Sequence, residues 1–89
     1  MAKKNTITQE QIEDILNNSE YEVTHKVFGK VCVVVAQLPN GFTIVADAAC
    51  VDPENYDGTI GFEIAMKKIE NKLWELEGYL LQNSLKLDA

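Results

Sequence analysis

The chain has 89 residues, 46% of them hydrophobic, with 14 acidic against 8 basic residues and a formal net charge of −6. A chain of this length holds one domain with one modest core, because small domains bury proportionally less of their surface. Its negative field disfavours nucleic-acid backbones and anionic membranes and favours basic partners, while no stretch has the length and apolarity of a signal peptide or a membrane span.

The first element predicted is a short helix. Thr8 stands as its N-cap, Gln11 three residues later completes a capping box, and Ile7 is placed to staple against Ile12. Glu10 puts negative charge in the first turn, where the helix dipole favours it. Ile12, Ile15 and Leu16 form one apolar stripe, and Asn17-Asn18-Ser19 ends it.

The period then changes to two. Tyr21, Val23, His25 and Val27 alternate with Glu22, Thr24 and Lys26, which predicts a strand with one covered face. After a turn at Phe28-Gly29-Lys30, the run Val31 to Ala36 has no polar face and reads as a central strand buried on both sides. Leu38-Pro39-Asn40-Gly41-Phe42 supplies a hairpin, since Pro39 pre-sets a turn dihedral and Asn40-Gly41 tolerate positive φ. Phe42 to Ala46 returns as a third strand, antiparallel to the second.

In the loop from Asp47 to Asp57, Asp52 is placed to cap a helical turn beginning at Pro53, and Asp57 to cap the last helix. From about Ile60 the residues Phe62, Ala65, Ile69, Leu73, Leu76 and Leu80 follow spacings of three and four on one stripe. The expected fold is α+β, in the order α-β-β-β-α: a three-stranded antiparallel meander with a short N-terminal and a long C-terminal helix packed on it. A single domain spans 1–89, with flexible ends at 1–6 and 84–89. Met66, Trp74 and Leu81 lie partly off the main helical stripe. With Val34 of the central strand they are surplus apolar surface, which predicts a homodimer or higher oligomer using Val34, Met66, Trp74 and Leu81.

Candidates for chemistry are few. His25 is the single histidine, and a general base there needs an orienting carboxylate or a nucleophile that spacing does not supply. A metal site from His25, Cys32 and Cys50 would require convergence of strand positions without a zinc-like spacing, so neither metal nor cofactor is expected and both cysteines read as small buried hydrophobes. Asp47, Asp52, Glu54, Asp57 and Glu63 lack the pattern of a calcium loop and read as caps and solvated charge. Gly58-Thr59-Ile60-Gly61 is a tight approach to a helix whose N–H groups suit an anion, yet Asp57 and Glu63 flank it with the wrong charge. No phosphate-binding loop, nucleophile elbow or redox dithiol is present, so the chain is not expected to be an enzyme. If a small anion binds, the expected place is where the loop Cys50 to Gly61 approaches the first strand. His25 and Lys26 would hydrogen-bond and pair with it, Gly58 and Gly61 would offer backbone, and Tyr56 or Trp74 would stack.

The blocks Tyr21-Glu22-Val23-Thr24-His25-Lys26, Leu38-Pro39-Asn40-Gly41-Phe42, Cys50-Val51-Asp52-Pro53-Glu54-Asn55 and Lys72-Leu73-Trp74-Glu75-Leu76-Glu77-Gly78 resemble a family of small tailed-phage proteins. That family is named after coliphage N-four gp forty-nine and Shigella phage Sf-six gene sixty-six, and the resemblance runs from about Ile12 to Gln82. It implies an accessory phage protein without enzymatic activity, at work in the cytoplasm of the infected bacterium. Such a protein would act by binding, in counter-defence or host takeover, through inhibition of a host protein or sequestration of a small nucleotide signal. The alternatives are a structural or assembly factor of the phage particle and an acidic nucleic-acid mimic; direct nucleic-acid binding runs against the charge.

Overall fold

The computed structural model of the chain describes residues 6–88. It shows helix α1 (Gln9–Asn17), strands β1 (Glu20–Val27), β2 (Val31–Gln37) and β3 (Thr43–Ala49), a single 3₁₀ turn (Pro53–Asn55) and helix α2 (Gly58–Asp88). The strands form one antiparallel meander in the order β1-β2-β3. This is the α-β-β-β-α architecture that the periodicities predict.

The capping box at α1 is complete. The Gln11 backbone N–H donates to Thr8 Oγ1 at 3.1 Å, and Gln11 Oε1 accepts the Thr8 N–H at 3.1 Å, so two otherwise orphaned donors are satisfied. Ile12 is fully buried and Ile7 packs against the same core cluster. The other end of α1 is held by the sheet: the Tyr21 hydroxyl donates to the Leu16 carbonyl at 2.6 Å.

In the register, Tyr21 and Val23 pair with Ala36 and Val34, and these with Ile44 and Ala46, so all six face the helices. The core is that inner face (Cys32, Val34, Ala36, Ile44, Ala46, Ala48) closed by Ile12 and by Ala65, Ile69 and Leu73 of α2. One stripe of α2 does most of the covering, and the helix lies chiefly over β3 and β2. Gly61 marks the closest approach: a Cβ there would stand 3.1 Å from Cys32 Cβ.

Three expectations are corrected. The β2 run is buried on its inner face alone; Val31, Val33 and Val35 point outward, half-buried, beside the exposed Val45 of β3. Uniform hydrophobicity cannot tell a strand covered on both faces from one whose second face awaits a partner. Second, Val34 is 0% exposed, so it holds the monomer core and presents nothing to another copy. Third, Val27 does not share the face of Tyr21, Val23 and His25. A bulge sets His25 and Lys26 together against Cys32, after which Val27 pairs with the outward Val31. Lys26 absorbs the extra residue at φ 59°, and the turn that follows has Phe28 at φ 54° and Gly29 at φ 78°.

The second hairpin is a proline-initiated turn in which the Gly41 N–H donates to the Leu38 carbonyl at 2.8 Å, with Gly41 alone at positive φ. Strand β3 runs on to Ala49, three residues past the expected end, because its ladder continues opposite Val31 to Val33. Helix α2 begins at Gly58, directly after the Asp57 cap, and runs to Asp88 through residues expected to be a flexible tail. At about 1.5 Å per residue its 31 residues set the 54 Å long axis of the molecule and carry it beyond the sheet. Leu80 falls past the sheet and is exposed, while Leu76 stays packed on the core. The expected flexible segment 1–6 falls, apart from Thr6, outside the described residues, as does Ala89.

Candidate binding cleft at the hairpin end

At the end of the molecule carrying the β1–β2 turn, the bulge, the 3₁₀ turn and the start of α2 converge on an open cleft. It is lined by His25, Lys26, Tyr56, Asp57, Thr59 and Phe62, with Gly58 at its base. Each wall has a local cause. Asp52 Oδ1 accepts the Glu54 N–H at 3.0 Å and starts the turn at Pro53, which delivers Tyr56 to the sheet. Asp57 Oδ1 accepts the N–H groups of Thr59 at 2.9 Å and Ile60 at 3.2 Å and starts α2.

Tyr56 is the link between loop and strand. Its hydroxyl lies 2.9 Å from His25 Nδ1 and accepts the backbone N–H of Lys26 at 3.4 Å. One assignment that satisfies both contacts has the phenol donating to an unprotonated Nδ1, with the ring proton on Nε2. The rings meet edge to face, with centroids 6.4 Å apart. Partial desolvation of the phenol raises its pKa above the ordinary 10.0, and the Lys26 N–H pulls the other way. Gly58 permits this packing, since a Cβ there would stand 3.1 Å from His25 Nδ1.

Of the ligand residues expected from sequence, His25, Lys26, Tyr56 and Gly58 come together here. Gly61 faces Cys32 instead, and borders an apolar groove on the far side of Tyr56 with Ala48, Ile60 and Ile64. Trp74 lies more than four turns along α2 and packs on the core, as Met66 does. The helix N-terminus offers less to an anion than the glycine pair implies, because Asp57 already occupies its first N–H groups. Thr59 and Phe62 were missed; their signal was position two and five residues past the expected cap at Asp57. Cys32 is buried, whereas Cys50 is half-buried, and its Sγ lies 3.2 Å from the Asp52 carbonyl, the geometry of a weak S–H donor. Among the described residues no group of three or more His, Cys, Asp or Glu could hold a metal ion, and no helix is long and apolar enough to cross a membrane.

Fold and cleft together define a small α+β domain that presents one mixed polar and aromatic cleft at the end of its sheet. Residues 7–85 match the family described as Phage protein (N4 Gp49/phage Sf6 gene 66) family, and the chain belongs to it. Neither the curated proteins nor the solved structures searched gave a match.

Proposed function

We propose that this phage protein is a non-catalytic accessory protein that acts by binding in the cytoplasm of the infected bacterium, in counter-defence or host takeover, and that the cleft at the hairpin end takes a small anionic signal molecule. The observation that carries this reading is the convergence of His25, Lys26, Tyr56 and Gly58 from three separate segments onto one open cleft. The Lys26 ammonium would pair with a phosphate, His25 Nε2–H would donate to it, and Phe62 with Tyr56 would offer aromatic surface to a base. Asp57 on the rim disfavours dense negative charge, which fits a cyclic or singly charged nucleotide better than a triphosphate.

Native mass spectrometry of protein purified from expressing bacteria tests the proposal. The expected result is a bound small-molecule mass that is lost in Lys26→Ala and in Tyr56→Ala. A wild-type protein that carries no such mass when incubated with cyclic and linear nucleotides, or variants that retain it, would overturn the cleft assignment. Turnover of any nucleotide by the pure protein would overturn the non-catalytic reading.

A second reading, a structural or assembly factor, is favoured by the outward face of the sheet. The half-buried Val31, Val33 and Val35 and the exposed Val45 form an apolar stripe there, of the kind that contacts another protein. Stoichiometric presence in purified virions is the result that would select it; absence from particles with expression early in infection selects the accessory binder.

A further inference from the structure

The two edges of the sheet are treated differently. β1 is interrupted by the bulge at His25 and Lys26, a device that twists an edge away from further pairing, and carries Glu20 and Glu22. β3 is regular over all seven residues, with every residue in register with β2. Its hydrogen-bond phase follows from the contacts at its two ends. The Leu38 N–H donates to the Phe42 carbonyl, and the Cys50 N–H to the Lys30 carbonyl. Antiparallel ladders alternate, so Ile44, Ala46 and Ala48 spend their backbone groups on β2, while those of Thr43, Val45, Asp47 and Ala49 point off the sheet. One of these is occupied from within: Lys68 Nζ donates to the Asp47 carbonyl at 2.7 Å. Val45, at the middle of the edge, is 65% exposed.

We propose that this edge is a dimer interface, in which two copies pair β3 to β3, antiparallel about a two-fold axis near Val45, to make one six-stranded sheet. That axis places Val45 beside the partner's Val45 and Thr43 beside the partner's Asp47, and brings no acid against an acid. The helices support the same axis. α2 lies over β3 and β2 and runs antiparallel to β3, with Lys68 and Lys72 over the stretch from Phe42 to Asp47. With strands about 4.8 Å apart, the two α2 axes come to lie about 10 Å from each other across the join, the spacing of packed helices. The two lysines also make the join the least acidic flank of a chain with net charge −6, where two copies meet with least repulsion. The inference is independent of the cleft, which is lined by β1, the other edge of the sheet.

Sedimentation and amide exchange of the full chain decide it. The expected wild-type mass at micromolar concentration is twice the 10.0 kDa of one chain, with the outward amides of Val45 and Asp47 protected from exchange although no intrachain acceptor faces them. Val45→Pro removes an N–H that β2 does not use, so it is expected to leave the folded spectrum intact and yield a monomer. Val45→Lys keeps the backbone and sets two like charges side by side at the axis, so it should weaken association at least about tenfold. A wild-type monomer, a dimer with freely exchanging Val45 and Asp47 amides, or a Val45→Lys variant that dimerises as well as the wild type would each overturn the proposal.

Discussion

Replacing Phe28 with asparagine is expected to stabilise the protein, although it removes a large apolar side chain. Phe28 is the first central residue of the turn Val27-Phe28-Gly29-Lys30, closed by the Lys30 N–H on the Val27 carbonyl at 3.2 Å. Both central residues have positive φ, at 54° and 78°, the geometry of a type I′ turn. The left-handed region costs an ordinary L-residue about 1–2 kcal/mol, and asparagine tolerates it best after glycine. The ring is 90% exposed, so almost no apolar burial is lost in exchange. The net expectation is a gain of about 1 kcal/mol, and Tm in a domain of this size moves about 4–8 °C per kcal/mol. Thermal unfolding followed by circular dichroism, with urea midpoints as a check, measures it. Phe28→Ala keeps the Cβ strain without the local side-chain hydrogen bond that lets asparagine tolerate this backbone, and should show little of the gain. An unchanged or lower Tm in Phe28→Asn would refute the reasoning, because the ring would then be stabilising the monomer through contacts that its exposure denies. A strained, exposed aromatic beside the cleft is conformational cost kept outside the core, a pattern associated with binding surfaces.

Three other substitutions test the framework. Thr8→Ala, which deletes half of the capping box, should lower stability by about 1 kcal/mol in urea denaturation, with Thr8→Ser retaining most of it. Ile69→Ala, at the centre of the buried α2 stripe, should cost about 2–5 kcal/mol by the same measurement, whereas Leu80→Ala past the sheet should cost little. Burial raises the Tyr21 phenol above its ordinary 10.0, and its proton is the one donated to the Leu16 carbonyl. The unfolded phenol ionises first as pH rises, so the unfolded state then binds fewer protons and stability falls above about pH 10, with no such dependence below it. Tyr21→Phe should reduce that slope in alkaline urea titrations, with Tyr56, raised in the same direction, leaving a remainder.

The elements whose physics is local were readable from the chain. The Thr8–Gln11 box, the Asp52 and Asp57 caps and the Pro39–Gly41 turn each depend on a few consecutive residues, and each forms as the residue types require. What was not readable depended on a count of one. The bulge opposite Cys32 adds a single residue to β1, and that residue exchanges Val27 between faces and gives Lys26 its left-handed backbone. Nothing in an alternating Val-Thr-His-Lys-Val pattern marks where the alternation fails. His25, Lys26, Tyr56 and Gly58 come together because the loop meets the strand where the chain order suggests, yet the Tyr56–His25 contact that organises the cleft spans 31 residues and follows only from their packing. The surplus apolar surface was inferred from a central strand without a polar face. Its location was not: parity along β2 decides that Val34 goes inward and Val33 and Val35 outward, and that parity is set by where α2 lies.

The outward valine face and the β3 edge bear on each other. One protomer offers three strands about 4.8 Å apart, a footprint narrower than the roughly 800 Å² per partner typical of a stable interface. Pairing through β3 would double the width and make one continuous apolar stripe from Val33 and Val35 through the two Val45 residues to the partner's Val35 and Val33. The charges around that stripe are Glu20 and Glu22 on β1 and Asp47 on β3, and no outward strand position outside the bulge is basic. Two such faces would set acid against acid, so stacking of dimers face to face is disfavoured, and an occupant must bring basic groups around an apolar centre. Self-association through the edge and recognition of another molecule through the face therefore call for opposite chemistries, and one small sheet can hold both without competition between them.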